Sequence, residues 1–231
     1  MLKLNPNANC MNVRQTPRKV RHQTRAPLTE RHETIIHAAW RVVAGGGLPA
    51  LTIRSVAAEL QLTTGAVMHY FPTKDALLEK MIDRLYTRLR EIAQASVLNV
   101  DLPERLERIM LAGLPLSRDT EFGWKLAVML QPEVLRSPAI AALFKRHHNS
   151  MEAELEQELG LLAKQGRLKP SVDLHNTTIG LMALVEGLGT CAVLRPEAMT
   201  PQILRQLVQE KLADLIVEAA NLPKSSGDPS P

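Results

Sequence analysis

Three short groups of residues in this chain carry side chains of the kind that bind metals or phosphates. His32 and His37 flank a glutamate as in a zinc-protease helix, but five-residue spacing turns the second imidazole away from the face of the first. His148 and Glu152 lie one helical turn apart without a further ligand, which is typical of a solvated ion pair. The glycine run 45–47 lacks the Lys-Ser/Thr of a phosphate-binding loop. The sequence therefore predicts no catalytic site, no metal and no cofactor.

A different chemistry is indicated between Thr52 and Lys74, where hydroxyl, small and basic side chains surround a short apolar pattern. The pattern predicts two short helices across a tight turn, opened by the capping residues Thr52 and Thr63, before Pro72 ends the second helix. A short helix held by a partner helix, with small polar residues facing outward, is the shape that enters a DNA major groove. The residues that we expect to face DNA are Thr52, Arg54, Thr63, Thr64, Gly65, Ala66, Met68, His69, Tyr70, Thr73 and Lys74.

Several short motifs occur together in this part of the chain. They are Ala38-Ala39, Gly45-Gly46-Gly47, Thr52-Ile53, Val56-Ala57, Thr63 with Gly65, His69-Tyr70-Phe71 and Lys74-Asp75-Ala76-Leu77. In this combination, the segment from Thr29 to about Leu78 resembles the DNA-binding domain of the TetR family of bacterial transcriptional regulators. The chain departs from the family pattern at Gln61, where a glycine usually makes the turn, and at Met68, where a tyrosine often contacts a phosphate.

The composition favours an all-α fold. Leu, Ala, Glu, Gln, Arg and Met dominate, and aromatic residues make up 3% of the 231 residues. We expect no apolar run of the roughly 20 residues that would cross a bilayer, and no secretory signal. Cys10 and Cys191 form neither a disulfide framework nor a metal-ligand cluster, which suits a reducing compartment. The sequence therefore predicts a soluble protein of the bacterial cytoplasm, associated with the nucleoid when it is bound to DNA.

The helical periodicity predicts about nine helices in two domains. We expect a basic, disordered arm over 1–28, a helix-turn-helix domain of three helices over 29–76, a larger helical domain over 77–222 and a disordered tail over 223–231. The family resemblance implies that the larger domain binds an effector and forms the dimer. The sixth helix is expected to end near Pro132, and the ninth to run to about Ala220.

Charge is concentrated at the N-terminus, although the net charge of the chain is only +4. Residues 1–29 contain six basic and no acidic side chains, so the segment is either a solubilising extension or an arm that follows the DNA minor groove. Between Thr63 and Tyr70 there is no Arg, Lys, Asn or Gln for a bidentate base contact. Threonine hydroxyls, His69, and Met68 against a thymine methyl group are what remain, and we expect groove shape and the arm to add specificity.

The rest of the chain resembles the C-terminal domain of BetI-type TetR regulators more loosely. The order of motifs is Phe122-Gly123-Trp124, Gly166-Arg167-Leu168 and Leu184-Val185-Glu186-Gly187-Leu188. The resemblance implies that the last two helices pair with the same helices of a second subunit. Apolar residues on both sides of the eighth helix agree with this, although a single body could also cover them. The expected interface residues are Leu181, Leu184, Leu188, Leu204, Leu207, Val208 and Leu215.

The same resemblance implies a small-molecule effector inside the helical body. By position, the expected pocket residues are Trp124, Met129, His147, Met151, Met182, Glu186 and Thr190. The alternative is that His147 and Glu186 are hydrogen-bonded core residues and that the methionines fill gaps. One tryptophan and no tyrosine in this region do not make an aromatic cage for a quaternary amine.

Two classes of function follow from these observations. The first is a homodimeric repressor that a small-molecule effector releases from a pseudo-palindromic operator in double-stranded DNA. The second is a helical ligand-binding or metal-dependent bundle without DNA-binding activity. Neither is an enzyme or a membrane protein. Binding of duplex DNA distinguishes the two.

Overall fold

The computed structural model describes residues 28–217, and within them it is built from helices. The nine α-helices there are α1 Leu28–Gly46, α2 Ile53–Glu59, α3 Thr64–Met68, α4 Lys74–Ser96, α5 Glu104–Ala112, α6 Arg118–Arg136, α7 Pro138–Lys164, α8 Leu174–Leu194 and α9 Pro201–Ala213. A single 3-10 turn, Leu48–Ala50, follows α1. The predicted all-α fold is confirmed. The predicted tail over 223–231 and all but the last residue of the predicted basic arm lie outside the described residues.

The described residues divide into two compact units. The first unit contains the residues up to Arg88 together with Lys125–Phe144, and the second contains Leu89–Trp124 and the residues from Lys145 onward. The domain boundary expected at residue 76 remains a prediction.

The first unit has a core that fixes the helix-turn-helix segment. Ile36 of α1, Val56 of α2, Val67 of α3 and Leu77 of α4 are all fully buried. Because α2 has seven residues and α3 has five, these two helices are held by burial of their apolar side chains rather than by their own length. This arrangement leaves the opposite sides of α2 and α3 available to solvent.

The second unit has its own core of leucine side chains. The buried members of this core are Leu106, Met110, Leu114, Leu155, Leu159, Leu162, Leu168, Leu181, Leu188, Leu204, Val208, Leu212 and Leu215. A partly buried ion pair joins α5 to α7, because Arg105 donates to both carboxylate oxygens of Glu158 at 2.7 to 2.9 Å.

Two predicted helix ends are wrong. α6 continues through Pro132 to Arg136, because an exposed proline removes only one hydrogen bond and the last turn is held by an ion pair between Arg136 and Glu133. α9 ends at Ala213 rather than near Ala220. The chain leaves the helix there because Leu215 accepts a backbone hydrogen bond from Lys169, 3.0 Å long, in the segment that follows α7.

The expectation of no apolar run long enough to cross a bilayer is wrong for α8 by length and composition. Its length and a mean hydropathy of 1.6 would suffice to cross a membrane, and 28% of that stretch is buried within the structure. A single charged side chain, Glu186, interrupts its 21 residues. Within residues 28–217, part of the apolar surface of α8 stays exposed, including the side chains of Ile179 and Leu194.

Candidate nucleic-acid interface

Helix α2 begins with a reciprocal pair of hydrogen bonds. The backbone N–H of Ser55 donates to Oγ1 of Thr52, and the backbone N–H of Thr52 donates to Oγ of Ser55, both at 2.9 Å. This capping box satisfies two amides that would otherwise lack partners at the helix start, and it confirms the predicted cap. Ser55 was not among the predicted residues, since a serine at this position also fits an ordinary exposed helix surface.

The turn between α2 and α3 uses a non-glycine residue in the left-handed region. Gln61 has a φ of 56° and takes the place where the family usually has glycine. The N–H of the next residue, Leu62, donates to the carbonyl of Ala57 at 2.8 Å and so closes the end of α2. A left-handed residue with a side chain costs about 1–2 kcal/mol. The turn nevertheless keeps α3 in contact with α2.

Helix α3 is anchored on one side and open on the other. Val67 is fully buried and Phe71 nearly so, while the Oγ1 of Thr63 accepts the N–H of Ala66 at 3.2 Å. The exposed residues are Thr63, Thr64, Gly65, Met68 and His69, which we call the α3 face. Ala66 is half-buried behind it.

A chain of aromatic contacts holds the end of α3 against α1. The ring of Tyr70 meets the rings of His69 and His32 edge to face, with centroids 5.1 and 5.2 Å apart. His32 also contacts Phe71 in the same manner. The sequence motif around His32 suggests only a metal ligand. Its contact with Tyr70 is not indicated by local spacing, because the two residues are 38 positions apart.

Positive charge flanks the α3 face. Thr73 caps α4, since its Oγ1 accepts the N–H of Ala76 at 3.0 Å, and Lys74 follows at the first helical position. Arg54 is exposed in the first turn of α2. Within residues 28–217, neither Arg54 nor Lys74 forms an ion pair. Both cations are therefore available to phosphates, which a helix start also attracts.

The residues expected to line an effector pocket are distributed over both units. Met129 belongs to the first unit, and the other six belong to the second. His147 is buried, and Glu186 accepts a contact of 2.7 Å from Nε2 of His148. Two cavities in the described part of the chain, about 20 and 340 Å³ in volume, are lined by none of the seven residues.

Trp124 fills space inside the second unit. Its indole N–H donates to the carbonyl of Gly113 at 2.8 Å, and its ring lies directly over the backbone of Gly189. A glycine is required at position 189 because any side chain there would overlap the ring. The indole thereby joins α5, α6 and α8.

The residues expected at a dimer interface fall into two groups. Five of the seven, Leu181, Leu188, Leu204, Val208 and Leu215, are buried in the core of their own chain, and Leu184 and Leu207 are half-buried. The exposed side of α8 carries a different set of residues, which includes Ile179, Gly180, Ala183, Glu186, Gly187 and Leu194. Both sides of the helix are apolar, so periodicity alone does not indicate which side the chain covers.

Two family models match separate parts of the chain. Residues 35–81 match the family model described as bacterial regulatory proteins, tetR family, and residues 103–217 match the model described as BetI-type transcriptional repressor, C-terminal.

In the described residues, no group of three His, Cys, Asp or Glu side chains could hold a metal ion.

Curated relatives cover most of the chain. The HTH-type transcriptional regulator PksA of Bacillus subtilis is 25% identical over 211 residues, which are 87% of this chain and 95% of PksA. The HTH-type transcriptional regulator BetI of Burkholderia mallei is 26% identical over 196 residues, 80% of this chain and 93% of BetI.

Solved structures show the same fold at lower identity. SmeT, the repressor of the Stenotrophomonas maltophilia multidrug efflux pump SmeDEF, has 22% identity and a TM-score of 0.67 over 87% of this chain and 97% of its own. A putative transcriptional regulator from Saccharomonospora viridis, solved in complex with choline, has 21% identity and a TM-score of 0.75 over 82% of this chain and 100% of its own.

Proposed function

The chain belongs to the TetR family of bacterial regulatory proteins and is a DNA-binding transcriptional regulator, and we propose that it acts as a homodimeric repressor that a small molecule releases from a pseudo-palindromic operator. The observation that carries this proposal is the α3 face, which is exposed and contains no acidic side chain, while Arg54 on α2 and Lys74 on α4 form no ion pair within residues 28–217. We also propose that the protein acts in the cytoplasm.

The α3 face enters the major groove in this proposal. Thr64, Gly65 and Met68 meet base edges, while Arg54 and Lys74 contact phosphates on either side. Phosphate contacts set the register of the helix on the duplex, and the α3 face reads the sequence. α3 has only five residues, so a single copy reads too few base pairs to select one site in a genome.

A second copy of the chain solves this problem by presenting a second α3. Two recognition helices about 34–36 Å apart meet half-sites one turn of DNA apart, which requires a two-fold symmetric operator. The exposed side of α8 is the surface that such a partner would cover. Gly180 and Gly187 have open space where a side chain would begin, so another helix can approach their backbone closely. Ile179, 46% exposed, and Leu194, 55% exposed, supply apolar area beside them.

Protein rather than lipid is the proposed covering of α8. The opposite side of this helix packs Leu181 and Leu188 into the core of the second unit. Glu186 lies near the middle of α8 and is paired with His148. A carboxylate at the centre of a bilayer would cost about 2.5–3.5 kcal/mol, whereas at a protein interface it keeps its partner.

The effector is proposed to bind in the second unit, near the contact between Trp124 and Gly189. Methionine side chains and a few polar groups are plausible ligand walls, and Met151 and Met182 lie in this unit. The complex of the Saccharomonospora viridis relative with choline supports a small-molecule ligand. Residues 89–217 contain one tryptophan and no tyrosine, so we do not extend choline itself to this chain.

Fluorescence anisotropy with a duplex from the region upstream of the protein's own gene tests the proposal. We expect saturable binding and, by light scattering at micromolar concentration, a dimeric mass. Ile179→Glu should separate the subunits and weaken operator binding at least tenfold, because the second half-site is lost. Leu98→Glu is the control, since Leu98 is 71% exposed and outside α8.

Two outcomes would contradict the proposal. A monomeric wild type that binds the operator tightly would remove the need for a second subunit. Failure to bind any duplex at low ionic strength would instead favour the helical bundle without DNA-binding activity.

A further inference from the structure

The side chains of the α3 face offer few hydrogen bonds to bases. The hydroxyl of Thr63 accepts the N–H of Ala66 and holds the start of the helix. The ring of His69 meets Tyr70 edge to face, and Tyr70 meets His32 in the same way. Thr64 and the ring nitrogens of His69 remain as hydrogen-bonding groups of the face. None of these side chains can form the bidentate contacts that Arg, Lys, Asn and Gln make with base edges.

Met68 dominates what remains of the α3 face. Its side chain is 49% exposed, although Val67 beside it is fully buried. Met68 lies one turn after Thr64 and three residues after Gly65, so the three residues share one side of the helix. A side chain at Gly65 would meet nothing within 4 Å, and its absence allows the helix backbone to approach the floor of the groove. The unbranched thioether of methionine adapts its shape to such a surface.

The major groove offers one apolar group to an apolar side chain, the C5-methyl group of thymine, which 5-methylcytosine shares. We propose that Met68 reads the C5-methyl group of a thymine in each half-site and that this contact, rather than a hydrogen bond, is the main direct readout by α3. The proposal rests on the DNA-binding function above and specifies how that surface distinguishes bases. Without bound DNA, the exposed side chain of Met68 leaves apolar surface in contact with water.

Replacing thymine by uracil removes only the methyl group and leaves base pairing and the O4 acceptor intact. A buried methyl group contributes about 0.8 kcal/mol, which corresponds to a fourfold change in affinity. We expect one thymine in each half-site at which uracil weakens binding about fourfold, and about 15-fold when both are replaced. With Met68→Ala, the same replacements should change affinity less than 1.5-fold. Leu98→Ala, on the other unit, should keep the full uracil effect.

Each thymine of the bound duplex is replaced in turn, and dissociation constants are measured with the wild type and both variants. Failure of every protein to bind the unmodified duplex would contradict the DNA-binding function itself. Tight binding with no thymine sensitive to uracil, or equal sensitivity in Met68→Ala, would overturn the inference and leave that function standing. Enzymatic methylation of operator cytosines is the second arm. Unchanged affinity after methylation assigns the contact to thymine. A gain in affinity that is lost in Met68→Ala, found when no thymine is sensitive to uracil, overturns that assignment.

Discussion

The contact between Trp124 and Gly189 makes a quantitative prediction for Gly189→Ala. A Cβ at position 189 would lie within 2.5 Å of three carbons of the indole ring. Carbon atoms in contact prefer about 3.5–4.0 Å, so the ring or α8 must move by about 1 Å. The indole does not move without cost, because its N–H donates to Gly113 at 2.8 Å. Overpacking of this kind costs about 1–3 kcal/mol.

The matched control is Gly160→Ala in α7. A side chain at Gly160 would meet nothing within 4 Å, so this variant gains only the helix propensity of alanine, about 1 kcal/mol. Gly189→Ala gains the same propensity and adds the overlap. We therefore expect the two variants to differ by about 1–3 kcal/mol in free energy of unfolding, measured by urea denaturation at one protein concentration.

A double variant separates overlap from other causes. Trp124→Phe alone should destabilise the protein, because it removes ring volume and the bond to Gly113. In the Gly189→Ala background the shorter ring relieves the overlap, so the two changes should be coupled by about 1–2 kcal/mol. Equal stability of Gly189→Ala and Gly160→Ala, or simple additivity of the double variant, would refute the reasoning.

Three further predictions concern charge. Lys74→Ala should weaken binding about equally for all duplexes and flatten the salt dependence by roughly one unit, whereas a loss confined to certain bases would contradict a phosphate contact. Arg105→Ala should lower the free energy of unfolding by about 2 kcal/mol, because it leaves the carboxylate of Glu158, which is 8% exposed, without its partner. Arg108→Ala, whose partner is exposed, should lower it by about 0–1 kcal/mol in the same denaturation assay. Burial lowers the pKa of His37 below its ordinary value of 6.5, so on acidification the unfolded chain binds this proton before the folded chain does. The melting temperature should therefore fall as the pH drops below 6.5. An equal fall of the melting temperature in His37→Gln over the same pH range would contradict this.

The sequence predicted the caps of the helix-turn-helix segment well because their signals are local. A threonine cap, a proline stop and a helical apolar pattern act within a few residues, and the caps at Thr52, Thr63 and Thr73 are present as expected. Pro132 shows where a local signal fails. A proline on an exposed side near a helix end costs one hydrogen bond, which tertiary packing of α6 outweighs.

Features that depend on packing were less accessible. α8 is apolar on two sides, and only the folded chain shows that Leu181 and Leu188 face its own core while Ile179 and Leu194 face outward. The need for glycine at 189 arises from a tryptophan 65 residues earlier in the chain. No periodicity encodes a contact of this kind.

The most direct test of the account is the set of genomic fragments that the purified protein retains from the DNA of its own source. We expect a discrete pseudo-palindromic motif, with half-sites one helical turn apart. Gly65→Glu should abolish retention, because it places a carboxylate in the open centre of the α3 face. Gly45→Glu, at another glycine with open space around it, should not. Retained fragments without a shared motif, or unchanged retention by Gly65→Glu, would contradict the central claim that α3 reads DNA.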